Sequence, residues 1–130
     1  MYIGWFDSKS KTAEGHTAGN FVGVHVGGPT HVGHYFHPAI SAGDGIFGSA
    51  EGGPVLKPGK QYEWTLRYDP AAADGHGSLH LTLGDEQVTL PIKPGLKKQG
   101  VTLDRFGMFT STAGGQLVRI YLDDLLYTAK

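Results

Sequence analysis

The chain has no cysteine, which excludes disulfides, thiolate metal sites and a cysteine nucleophile while leaving the compartment open. It also lacks any apolar run approaching the roughly 20 residues of a membrane-spanning helix. Met1 leads straight into "YIGWF", without the basic and apolar regions of an export leader, so no export signal is expected in the chain itself. An excess of either charge is missing too. With 11 Lys+Arg against 12 Asp+Glu the formal net charge is −1, which offers no footprint for nucleic acid or an anionic membrane. No internal repeat is evident, and no segment has the period of an ordinary helix.

What is abundant is glycine, 21 of 130 residues, well above the usual share of about 7% and without a collagen-like period. Short runs rich in Val, Leu, Thr, Tyr and Trp alternate with Gly, Pro and Asp clusters, the pattern of a turn-rich β domain. In "QYEWTLRYDP", Tyr62, Trp64, Leu66 and Tyr68 fall on one face and Gln61, Glu63, Thr65 and Arg67 on the other, and Asp69-Pro70 ends the strand. "SLHLTL" puts Leu79, Leu81 and Leu83 inward, and "GDE" turns it into "QVTLPI" as a hairpin. "YIGWF", "NFVGVHV" and "HVGHYF" supply earlier strands, "VTLDRFGMF" and "LVRIYLDDLLYT" later ones, and residues 37–60 read as a long glycine-rich connection. The expectation is a single all-β domain over residues 1–130, an antiparallel two-sheet sandwich or jelly roll of about eight strands without a long helix.

The segments "YEWTLRYDPAAADGHGSLHLTLGDEQVTLPI" and "LDRFGMFTSTAGGQLVRIYLDDLLYT", about residues 60–128, resemble the later half of concanavalin A-like lectin/glucanase domains, in particular laminin-G-like modules of large bacterial proteins. "FVGVHVGG" and "GHYFHP" resemble the middle strands of the same domains. The resemblance implies a jelly roll, a carbohydrate-related role and an extracellular or cell-envelope setting, in a domain excised from a larger protein. Such domains usually begin with further strands. An edge is therefore expected to be missing, swapped in from another copy or rebuilt from "YIGWF", and a homo-oligomer through an open sheet edge is one of these outcomes.

"THVGHYFHP" spaces His31, His34 and His37 by three, which on a helix would build a metal site. Gly33, Pro38 and the intervening Val, Tyr and Phe make the segment a strand instead. At about 3.3 Å per residue, His31 and His37 then lie about 20 Å apart on one face with His34 on the other, so one ion cannot bind all three. His25, across "GGPT", faces one of them or none according to a register that the sequence leaves open. Three readings follow: ordinary polar residues on a sheet face, a saccharide surface built from His25, His34, Tyr35 and His37, or a transition-metal site drawing on His25, His31 and His34.

Trp5, near the chain start, is a candidate sugar platform or a strand anchor. Asp123 and Asp124 point to opposite faces of an extended chain, committed to an ion pair or a backbone hydrogen bond with Arg105 or Arg119 as a candidate partner, or serving as ligands of a structural calcium, the one cofactor expected. Catalysis finds little support. The Glu-x-Asp-x-Glu pattern of the related glucanases is absent, Glu63 reads as a surface ion-pair partner of Arg67 or part of a solvated face, and no Gly-x-Ser-x-Gly elbow is present to activate Ser78 or Ser111. The leading expectation is a non-catalytic module that binds polysaccharide by aromatic stacking and hydroxyl hydrogen bonds. The alternatives are a glycan-active enzyme, either glycosidase-like or with a His-bound metal, and an adhesion domain without a small ligand.

Overall fold

The computed structural model describes residues 1–9, 19–43, 46–94, 102–110 and 119–128. Among them run nine strands: β1 (Tyr2–Phe6), β2 (Asn20–Thr30), β3 (Gly33–Ala42), β4 (Ile46–Ser49), β5 (Val55–Leu56), β6 (Trp64–Asp69), β7 (Ser78–Leu83), β8 (Glu86–Pro91) and β9 (Arg105–Phe109). They form the antiparallel two-sheet sandwich expected from the sequence. One sheet has the order β4-β3-β2-β1-β9, with β5 also pairing β3, and the other is the meander β6-β7-β8.

The smaller sheet follows the alternation directly. Leu66, Leu81 and Val88 pair across one face, as do Leu79 with Leu90 and Trp64 with Leu83. The Gly84-Asp85 turn closes β7 onto β8, with Gly84 at φ 58°. Against this layer the larger sheet presents Ile3, Val24, Val26, Phe36 and Ile40. Trp64 meets Phe36 edge-on, with ring centroids 5.5 Å apart.

The two layers differ in width. β3 lies over β7 and β8, while Ile120 and Leu122 of the C-terminal segment pack on the same core beside Phe106 of β9. That segment was expected to be a strand, yet residues 119–128 carry none. Asp124 sits at φ 50° and its N–H donates to Asp123 Oδ1 at 2.9 Å, a local turn that interrupts an extended path.

Two further departures have physical causes. Residues 37–60 contain the end of β3 and all of β4 and β5. Residues 38–42 are buried without interruption, so they show none of the alternation by which a strand is read. Tyr68 is exposed rather than part of the core. Its ring leans over Gly77, where an added Cβ would lie 2.8 Å from Tyr68 Cε2.

The larger sheet is apolar on both faces. Its outer face carries Tyr2, Phe21 and Ala39, with Phe6 and Phe109 packed on them. Gly4 pairs with Gly23 on one side and Gly107 on the other, and the Phe21 ring lies close to the first two. A Cβ at Gly23 would sit 2.6 Å from Phe21 Cζ and 2.8 Å from Gly4 Cα, with no room for either to move. Gly23→Ala is therefore expected to cost about 1–3 kcal/mol of stability by overpacking, and Leu81→Ala about 2–5 kcal/mol by opening a cavity between the sheets. Urea unfolding followed by tryptophan fluorescence measures both.

Candidate functional site

The hairpin of β2 and β3 turns at His31 and Val32. Thr30 pairs with Gly33 and Gly27 with Tyr35, so Gly28 and Pro29 together oppose the single residue His34. This is a β-bulge, and one extra residue reverses the facing of everything beyond it. Counted from the turn without it, His25 would oppose Pro38, and His37 would lie on the other face. With it, His25 stands directly opposite His37.

The two rings meet. His25 Nδ1 lies 3.0 Å from His37 Nε2, and Tyr2, opposite His25 on β1, stacks on the His25 ring at 4.6 Å and 16°. Phe109 stacks on the other side of Tyr2 at 5.1 Å and 13°. Four side chains from four strands thus form one row across the outer face. The Nδ1 atom of His37 is buried without a hydrogen-bond partner, although the Gly52 backbone lies near enough to favour the protonated ring in part.

Both imidazoles are held neutral. Burial, then repulsion from His37 and from the Met1 ammonium, lowers the His25 pKa from 6.5 to about 4, and burial lowers that of His37. The other two histidines of the hairpin stand apart. His31 is exposed in the turn, and His34, opposite the bulge, faces away from His37. No group of three or more His, Asp or Glu residues that would hold a metal occurs among the described residues. The structure thus brings His25 to His37 rather than to His31 or His34. Tyr35 lies on the same outer face as His37, opposite Gly27.

A second surface lies at the margin of the inner face. Trp5 meets Phe106 edge-on at 5.0 Å, and Tyr127 stacks flat on Phe106 at 4.5 Å and 9° while standing edge-on to Trp5 at 6.3 Å. Trp5 is half-buried and so backs the cluster, whereas Tyr127 keeps 55% of its surface exposed. Nearby in sequence, Tyr121 is 87% exposed. Neither tyrosine stood out from the sequence, because both lie in a run that reads as an ordinary apolar strand.

Several expected roles fall elsewhere. Arg67 bonds Asp69 at 3.1 Å rather than Glu63. Asp123 and Asp124 are exposed, and the ion pair with Arg105 or Arg119 does not occur among the described residues. Ser78 Oγ lies 2.6 Å from His80 Nε2, and His80 Nδ1 lies 3.0 Å from Thr89 Oγ1. That chain has the outline of a nucleophile, base and orienting group, but Ser78 is only 2% exposed. Ser111 lies outside the described residues.

Comparison of the chain with protein-family models, with curated proteins and with solved structures returned no match. The site is therefore argued from its own residues.

The lowered imidazole pKa values have a definite sign. The unfolded chain takes up protons before the folded one as pH falls, so the pair's contribution is complete above about pH 6.5 and lost toward pH 4. Because both rings are half exposed, solvent screening limits the loss to about 1 kcal/mol. The urea midpoint is expected to fall between pH 7.5 and 4.5, and the fall to shrink in His37→Asn. Asp69 and Asp104, whose pKa values are lowered by hydrogen bonds from the Ala71 backbone and from Ser8, act only below this window.

Proposed function

We propose that this chain is a non-catalytic binding module that recognises a neutral polysaccharide by aromatic stacking. The observation that carries the reading is Tyr127, exposed on one side and on the other stacked on Phe106 and edge-on to Trp5. A ring held in place by packing loses little freedom when a sugar's C–H face settles on it, and its phenol hydroxyl is available to the sugar's hydroxyls. The near-zero net charge suits a neutral ligand, and the resemblance of residues 60–128 to lectin/glucanase domains points to the same class. His25, His37 and Tyr35 supply a second contact zone, where neutral imidazoles bond hydroxyls without attracting anions.

Affinity electrophoresis through gels containing β-glucan, xylan, mannan or starch tests this reading. At least one gel is expected to retard the protein, with Tyr127→Ala weakening retention by about five- to tenfold, equivalent to about 1 kcal/mol of stacking. Because Tyr127 is largely exposed, this variant should fold normally. Migration unchanged in every gel, or retention indifferent to Tyr127→Ala, would remove the basis of the proposal.

A further inference from the structure

We infer that His25 and His37 form a two-imidazole binding site for a divalent transition-metal ion, with Cu2+ preferred over Ni2+. The facing nitrogens are 3.0 Å apart. With metal–nitrogen bonds of about 2.0–2.1 Å, that separation corresponds to an N–metal–N angle of roughly 91–97°. This is the cis angle of square-planar or octahedral coordination and is narrower than a tetrahedral one, so the geometry favours Cu2+ and Ni2+ over Zn2+.

Three features prepare the pair. The stacked Tyr2 ring fixes the plane of His25. The bulge sets both side chains at the same level on the same face. Gly27, the next outward-facing residue on β2, lies under the His25 ring, where an added Cβ would lie 3.3 Å from Cε1 and 3.7 Å from Nδ1. Gly27 has no positive φ, so its backbone does not require glycine.

One of the two facing nitrogens carries a proton in the free pair. Binding moves that proton to the other nitrogen of the same ring, and both rings remain neutral ligands. Among divalent first-row ions, copper forms the strongest bonds to imidazole. Water completes the coordination sphere.

Titration of the tag-free protein with Cu2+, followed by EPR, is expected to show one equivalent bound through two equatorial imidazole nitrogens, and the melting temperature should rise with added Cu2+ or Ni2+. His25→Asn and His37→Asn should each abolish that equivalent, while the double variant His31→Asn/His34→Asn should keep it. If the single variants fail to fold, Gly27→Val retains both imidazoles but crowds the His25 ring out of its position opposite His37, and should weaken binding. Absence of a bound equivalent, its survival in His25→Asn, its loss in the double variant, or unchanged affinity in Gly27→Val overturns the inference. All these readouts are independent of polysaccharide retention.

Discussion

The extra residue at Gly28-Pro29 sets the facing of the β2–β3 ladder, and much of the molecule depends on it. A strand's side chains alternate, so a shift of one place would exchange its two faces. With the bulge in place, Val24 and Val26 of β2 and Phe36 of β3 point together toward the second sheet. His25 and His37 point away from it, onto the aromatic row begun by Phe109 and Tyr2. Core and candidate site are therefore consequences of the same local irregularity. Neither can be moved without the other.

The unequal width of the two sheets has a comparable reach. Three strands are too few to cover the whole inner face of the larger sheet, and Ile120, Leu122 and Tyr127 come from a segment without a strand of its own. Such a segment can bury alternate residues while leaving others in solvent, because no ladder dictates its facing. Partly buried Leu122 thus lies one residue from exposed Tyr121 and close in sequence to the half-exposed Tyr127. The aromatic surface arises where regular structure gives way to an irregular cover.

Fold class was legible in the sequence, and the reasons are local. Leu79, Leu81 and Leu83 alternate with polar residues, and a glycine turn follows them, so β7 and β8 could be read directly. β4 and β5 could not, since strands of four and two residues are too short to show an alternation. For the candidate site, His25 and the His31–His37 series were visible as residue types in strand surroundings. Their pairing was not, because it turns on whether Gly28 and Pro29 count as one ladder position or two. Tyr127 was hidden for a different reason: whether a tyrosine is buried or displayed depends on residues far away in the chain, here Trp5 and Phe106.

The position of β1 bears on how the molecule is assembled. Its pairing with β2 joins Phe6 to Phe21, whereas its pairing with β9 joins Tyr2 to Phe109, across most of the chain. Closing that second ladder carries the entropy of a very long loop, and topologies dominated by such distant pairings fold slowly. On a ribosome, β1 would wait with one hydrogen-bonding edge unsatisfied until β9 had been synthesised. Protection of that edge during synthesis, rather than the final stability of the sandwich, is then the constraint that sets how well the chain reaches its native state.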